Sequence, residues 1–181
     1  MNASKFFLKA ANSLITAVVA LFLILAAAYS GYALWDNAQV YAAVDDVQSE
    51  LMKLKPDPEQ KDGGASFEEL RKINPDVCGW ITLDHTKIDY PILQGEDNLT
   101  YINTDVYGDF ALSGSIFLDS GCDNTFQGKY SLLYGHHMAN HKMFGDLDLY
   151  RKKKFFDKNT TGTLILLDRS YKLEIFAGFR F

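Results

Sequence analysis

The sequence predicts a mainly β domain that follows an N-terminal helical arm and an apolar segment long enough to cross a membrane. Two observations indicate this fold class. Short apolar stretches separated by turn residues fill the chain from Gly79 onward, and the stretch Leu14–Trp35 carries no charged residue. The chain of 181 residues, 48% of them hydrophobic, suits one domain with a buried core. Its net charge of -5 argues against non-specific nucleic-acid binding, which needs a concentrated basic surface.

The uncharged stretch near the N-terminus predicts a membrane anchor. As a helix, Leu14–Trp35 would rise about 33 Å, enough to cross a hydrocarbon layer of about 30 Å. Lys5 and Lys9 precede the stretch, and Asp36 and Asp45 follow it, so the positive-inside rule places the N-terminus in the cytoplasm. We therefore expect a single-pass protein of the cell membrane with an extracytoplasmic domain. A cleaved signal peptide is the alternative, since "AAAYSG" could supply a small-residue cleavage site.

The arm that follows this segment is predicted to be helical. One apolar stripe recurs at alternating steps of four and three, formed by Val40, Val44, Val47, Leu51 and Leu54. Two heptads are few for a coiled coil, so packing of the stripe on the following domain is favoured over dimerisation.

A linker rich in proline and glycine separates the arm from the domain. The linker is "KPDPEQKDGGAS", residues 55–66, and Ser66 with Glu69 forms a capping box that would begin the short helix "FEELRKI". We therefore divide the chain into a cytoplasmic tip and transmembrane anchor at 1–35, a helical arm and linker at 36–66, and a β domain at 67–181.

Six stretches of the domain read as β-strands: "GWITL", "KIDYPILQ", "GSIFLD", "KYSLLYG", "TGTLILLD" and the segment from Tyr171 onward. The first two flank a turn at 84–86, and the last two form a hairpin around 168–170. In the last strand one apolar face alternates with the charged residues Lys172, Glu174 and Arg180. This face consists of Tyr171, Leu173, Ile175, Ala177, Phe179 and Phe181. Helical turns with Met143, Leu147 and Tyr150 on one side are expected between the fourth and fifth strands. The last strand runs to the final residue and leaves an apolar edge, which predicts an unfinished barrel.

Two cysteines are present, Cys78 and Cys122. Outside the cytoplasm a pair of thiols can form a disulfide. Because nothing local pairs these two, unbridged buried or loop thiols are favoured.

Three of the four histidines, His136, His137 and His141, lie within six residues. A metal site is one interpretation, but "HMANH" lacks the glutamate of an H-E-x-x-H site and no third ligand stands at a suitable spacing. A surface loop is the second interpretation. The third is catalytic: Gly135 would allow an unusual turn, and His136 at the strand end could act as general acid and base for a cysteine or serine.

The surrounding motifs carry a resemblance to a known family. The segment "NPDVCGWITLDHTKIDYPILQGEDNLTYINTDVYGDFALSGSIFLD" is followed by "LLYGHHM", "MFGDL" and "FF". In this order and spacing, residues 67–181 resemble the class B sortases of Gram-positive bacteria. The resemblance implies an incomplete sortase-type β-barrel with N-terminal helices and a transmembrane anchor.

Sortases are membrane-anchored cysteine transpeptidases that need no cofactor. The resemblance implies cleavage of the C-terminal sorting signal of a secreted surface protein, with Asn-Pro-Gln-Thr-Asn-like motifs typical of class B. A thioester intermediate is then resolved by an amine of the peptidoglycan precursor. The family histidine falls on His136, with His137 as a neighbour only. Substrate-groove positions fall on Asn98, Ile102 and Tyr134, for which a turn residue and two core residues are the plainer interpretations.

The chain departs from the family pattern in its nucleophile. The family's "TLSTC"-like strand and its later arginine strand do not occur in the 181 residues, and neither Cys78 nor Cys122 follows a strand expected beside His136. We therefore expect these residues alone to have no transpeptidase activity. A membrane-tethered peptide-binding module or a truncated relic is the alternative.

Overall fold

The computed structural model describes residues 3–59 and 64–178. Helix α1 spans Ala3–Met52 and helix α2 spans Gly64–Ile73. In the described part of the chain, α1 alone is long and apolar enough to cross a membrane, by length and composition. The chain forms two compact units, Met1–Tyr41 and Ala42–Phe181.

The second unit is built on one six-stranded sheet, which confirms the mainly β fold. Its elements are β1 (Val77–Leu83), β2 (Asp89–Leu93), β3 (Ile116–Leu118), β4 (Leu133–Tyr134), β5 (His137–Met138), β6 (Lys142–Met143), a 3₁₀ helix (Phe144–Arg151), α3 (Lys153–Phe156), β7 (Thr161–Ile165) and β8 (Ser170–Glu174). The strand order is β4-β3-β2-β1-β7-β8, and β5 pairs with β6 in a separate hairpin. All neighbours are antiparallel except β2 and β3.

Both faces of the sheet are buried at β1, whose successive side chains point to opposite sides. Trp80 of β1 belongs to a core cluster that includes Leu51 of α1 and Leu70 of α2. Ile81 and Leu83 of the same strand belong to a second cluster, on the side of Ile92, Ile116 and Leu118. The strands therefore separate a helix-covered face from an inner face.

The apolar stripe of the arm packs on the domain, as predicted. Val44 and Leu51 are buried, and Val47 and Leu54 pack against the cluster that contains Leu51 and Trp80. The stripe thus belongs to the same core as the sheet. These contacts stabilise the helix, because most helical stability comes from tertiary packing of an apolar face.

Several local expectations differ from the structure. Helix α2 begins at Gly64, so Ser66 lies inside the helix and is not its N-cap. Leu147 is 43% exposed and lines an open cavity instead of joining the core beside Met143 and Tyr150. Of "KYSLLYG" only Leu133–Tyr134 is a strand, and residues 129–132 are exposed and form none.

The predicted 168–170 hairpin is confirmed by the β7–β8 pairing. Leu173 and Ile175 are half-buried against the core, as the alternation of the last segment predicts, whereas Tyr171 and Ala177 of the same predicted face are exposed. Residues 179–181 of this segment lie outside the described residues.

Replacement of a core leucine tests the burial of the inner face. Leu118 is 1% exposed, so we expect Leu118→Ala to lower the free energy of unfolding by about 2–5 kcal/mol through lost burial and a residual cavity. Urea unfolding of the chain in detergent micelles, followed by tryptophan fluorescence, measures the change. Leu99 is 72% exposed, and Leu99→Ala as the control should stay within about 0.5 kcal/mol of the parent. Equal effects of the two substitutions would contradict the assigned core.

Candidate active site

The four residues that the sequence singled out line one cleft. Asn98, Ile102, Tyr134 and His136 surround a cavity of about 410 Å³, together with Phe117 and Gly135. Two of them come from the loop between β2 and β3, and the other two from the end of β4 and just beyond it. The volume is in the range of small-ligand sites, and the lining mixes apolar side chains with a few hydrogen-bonding groups.

Gly135, directly before His136, stands where there is no room for a side chain. A Cβ at this position would lie 2.3 Å from Ile116 Cδ1 and 3.0 Å from the ring of Phe144. Its backbone does not adopt the positive φ found at Gly108 and Gly114. The expected unusual turn is therefore wrong: the position needs glycine because the chain directly after β4 passes close to two side chains.

The imidazole of His136 is held by a backbone carbonyl. Its Nε2 lies 2.8 Å from the oxygen of Ile102. Since a carbonyl oxygen only accepts, Nε2 carries the proton in this contact. Nδ1 is then the nitrogen that holds the lone pair of the neutral ring, and it is the atom able to take up and release a proton without breaking the contact.

The other two histidines of the cluster turn away to separate carboxylates. His137 Nε2 lies 3.0 Å from Asp148 Oδ2, at a different cavity. His141 Nδ1 contacts Asp146 Oδ1. In residues 3–59 and 64–178 there is no group of three or more histidine, cysteine or acidic residues able to hold a metal ion.

Asp119 joins two of the cleft residues and was not predicted from the sequence. Its Oδ2 accepts hydrogen bonds from Asn98 Nδ2 at 2.8 Å and from the Tyr134 hydroxyl at 3.0 Å. The backbone N–H of Gly121, then Asn98 and Tyr134, hold the pKa of the Asp119 carboxyl below its ordinary value. The same carboxylate raises the pKa of the Tyr134 phenol.

These contacts limit what the groove residues can offer a ligand. Asn98 Oδ1 accepts from the backbone N–H of Ser120 at 2.7 Å, and one amide N–H is given to Asp119. At most one N–H of Asn98 remains for a ligand. The ring of Tyr134 lies against that of Phe117, with centroids 5.3 Å apart. Phe117 and Asp119 both belong to "GSIFLD". The sequence signal that could have pointed to Asp119 is its place as a polar residue directly after an apolar strand.

Neither cysteine lines the cleft. Cys78 is buried in β1, and burial raises the pKa of its thiol to about 12. Cys122 is half-buried in the turn that follows Asp119, and its carbonyl accepts from Gln94. Both are free thiols.

Removing the charge of Asp119 tests the carboxylate that Asn98 and Tyr134 share. Asp119→Asn should lower the phenol pKa of Tyr134 towards its ordinary value, because a neutral amide no longer disfavours the phenolate. A pH titration of ¹³C-labelled tyrosine rings by NMR measures the pKa. Asp123, whose carboxyl pKa is also lowered, is bonded to Thr125 and not to Tyr134. Asp123→Asn is therefore the matched control, and an unchanged Tyr134 pKa in Asp119→Asn would contradict the assignment.

Two curated proteins are similar to this chain over most of its length. Sortase B of Staphylococcus aureus is 37% identical over 117 residues, which cover 63% of this chain and 47% of that protein. Sortase B of Listeria monocytogenes is 34% identical over 151 residues, which cover 81% of this chain and 60% of that protein. The chain thus spans about half to three fifths of the length of these relatives. No family model matches the sequence.

Solved structures show the same likeness in the fold. Sortase B from Bacillus anthracis in complex with AAEK1 matches with a TM-score of 0.72 and 32% identity, covering 77% of this chain and 68% of that one. A Streptococcus pyogenes class B sortase involved in pilus biogenesis matches with a TM-score of 0.60 and 50% identity, covering 63% of each chain. A Staphylococcus aureus sortase B–substrate complex matches with a TM-score of 0.61 and 32% identity, covering 78% of this chain and 63% of that one. The sequence identity above 30% and the shared fold point to the same family. The chain therefore belongs to the class B sortase family.

Proposed function

We propose that this chain carries the histidine and part of the peptide groove of a sortase B-type cysteine transpeptidase. The observation that carries the proposal is the cleft in which His136 meets Asn98, Ile102 and Tyr134. The substrate class is the sorting-signal peptide of a secreted surface protein, and the second substrate is an amine of the peptidoglycan precursor. The substrate complex of the Staphylococcus aureus relative supports peptide binding.

His136 is proposed as the general acid and base of both half-reactions. The imidazolium would protonate the leaving amine when a thiolate attacks the peptide carbonyl, and the neutral ring would then deprotonate the incoming amine. The Nε2–H contact with Ile102 leaves Nδ1 for this proton transfer.

The groove would recognise the peptide through an apolar wall and one amide. Ile102 is half-buried and Tyr134 is 37% exposed, so both present apolar surface to the cleft. The remaining N–H of Asn98 would donate to a backbone carbonyl of the peptide. A sequence-tolerant backbone contact beside an apolar pocket suits an extended peptide.

The 181 residues by themselves are proposed to lack transpeptidase activity. Acyl transfer needs a thiolate beside the histidine. The thiol of Cys78 stays protonated near neutral pH because its pKa is raised to about 12, and Cys122 does not line the cleft of His136.

The proposed cellular location of the chain rests on α1. We propose that its uncharged part anchors the chain in the cell membrane, with the N-terminus in the cytoplasm and the β domain outside. The anchor at 1–35, the arm and linker at 36–66 and the partial catalytic domain at 67–181 belong to the same proposal. The excess of lysine before the apolar stretch supports this orientation.

A cleavage assay tests the proposed inactivity. The whole chain in detergent micelles is incubated with a fluorogenic Asn-Pro-Gln-Thr-Asn peptide, and a sortase B with its own cysteine is the positive control for the peptide. We expect no cleavage above the rate without protein. Cleavage that is lost in Cys122→Ala and kept in Cys78→Ala would overturn the proposal and identify Cys122 as the nucleophile.

A peptide-binding module without catalysis is the second candidate, favoured by a lined cleft that contains neither cysteine. Tyr134→Ala should weaken binding of the fluorescent peptide about tenfold, because a tyrosine wall of a small pocket carries much of its binding energy. Fluorescence anisotropy measures the affinity. Tyr130 is 76% exposed and outside the cleft, so Tyr130→Ala is the control. Equal binding by all three proteins would exclude the cleft as the peptide site.

A further inference from the structure

The hairpin that follows His136 has an unfavourable backbone. It consists of β5, β6 and the turn between them, and Asn140, His141 and Met143 all adopt positive φ, at 58°, 64° and 49°. Met143 also has a ψ of -127°, which for a residue with a Cβ is a sparsely populated conformation. Such residues persist only where the surrounding structure holds them.

The end of α1 supplies part of that support. The ammonium of Lys142, whose side chain is 9% exposed, forms an ion pair with Asp45 of α1. The next residue, Met143, donates its backbone N–H to the Tyr90 hydroxyl at 3.0 Å. That hydroxyl in turn lies 3.4 Å from Gln48 Oε1, one turn further along α1.

A second support acts on the turn of the hairpin. Asp146 is 2% exposed, and its carboxylate accepts from the backbone N–H of Lys87 at 2.6 Å and contacts the ring of His141. The hairpin is therefore fixed at both ends, by α1 at β6 and by the chain before β2 at the turn.

The supported residues lie next to His136 in space as well as in sequence. Directly after Met143, the backbone N–H of Phe144 donates to the carbonyl of His136 at 2.9 Å. The ring of Phe144 also packs on Gly135, which precedes His136. A continuous path of contacts thus runs from Asp45 through Lys142, Met143 and Phe144 to the backbone of His136.

We infer that Asp45 is a positioning residue for His136, acting through its ion pair with Lys142. The ammonium of Lys142 is buried, so loss of its carboxylate leaves a charge without its partner and favours opening of the hairpin. Opening would release the Phe144–His136 bond and let the imidazole leave the Ile102 carbonyl. The role in catalysis rests on the proposed function of His136, whereas the positioning of its ring does not.

Two NMR readouts on the whole chain in detergent micelles test the inference without any peptide. Selective ¹⁵N labelling of phenylalanine reports hydrogen exchange of the Phe144 amide, and labelling of histidine reports the ring tautomer of His136. Asp45→Asn should accelerate the Phe144 exchange about tenfold or more. It should also replace the single Nε2–H pattern of His136 by an average of tautomers.

Glu50→Gln is the matched control. Glu50 is a carboxylate on the same helix that pairs with Lys53 on the exposed surface, so its replacement should change neither readout. The charge-exchanged double variant Asp45→Lys with Lys142→Asp should recover part of the Phe144 protection. Unchanged readouts in Asp45→Asn would overturn the inference, and faster Phe144 exchange with an unchanged His136 pattern would overturn it as well, since Asp45 would then be structural only.

Lys142→Met decides the matter if Asp45→Asn does not fold. It removes the ammonium that pairs with Asp45, keeps a side chain of similar length, and leaves the Met143–Tyr90 hydrogen bond in place. The same two changes at Phe144 and His136 are expected, and their absence would overturn the path through the hairpin. Because no peptide is present, failure of the proposed function would appear separately, as a lack of peptide binding by a chain whose His136 is correctly held.

Discussion

The side chains of β1 are buried on both faces of the sheet, and the positions of the other elements follow from this. Trp80 faces the helices while Ile81 and Leu83 face the inner core. Because the backbone of β1 is also removed from water, its N–H and C=O groups need partners along both edges, which β2 and β7 supply. The sheet then extends through β3 to β4, where the cleft with His136 lies. The site is therefore at the margin of a sheet whose centre is fixed by two-sided burial.

The three clustered histidines show why proximity in sequence did not decide their chemistry. A backbone in which successive residues point to different sides sends neighbouring rings to different partners. His136 reaches the Ile102 carbonyl, His137 reaches Asp148, and His141 reaches Asp146. A helix would have placed His137 and His141 on one face, but the structure has a hairpin with three positive-φ residues here.

Much of the fold and the four cleft residues could be predicted, because period-two patterns and an ordered set of family motifs depend on the sequence alone. The contacts around those residues could not. The hydrogen bonds of Asp119 join parts of the chain that are 15 and 21 residues apart. The need for glycine at 135 depends on the Ile116 and Phe144 side chains that meet it. Leu147 fitted a helical face, but tertiary packing left that part of the face beside an open cavity.

The single carboxylate oxygen that bonds both Asn98 and Tyr134 makes these two groove positions thermodynamically dependent on each other. A ligand that draws the Asn98 amide away leaves more of the Asp119 charge to the phenol, and a ligand that displaces the phenol does the reverse. The free-energy effects of substitutions at the two positions will not add, because residues that share a partner carry an interaction term. The selectivity of the cleft for a ligand would then belong to the pair. No separate share of the binding free energy could be assigned to Asn98 or to Tyr134.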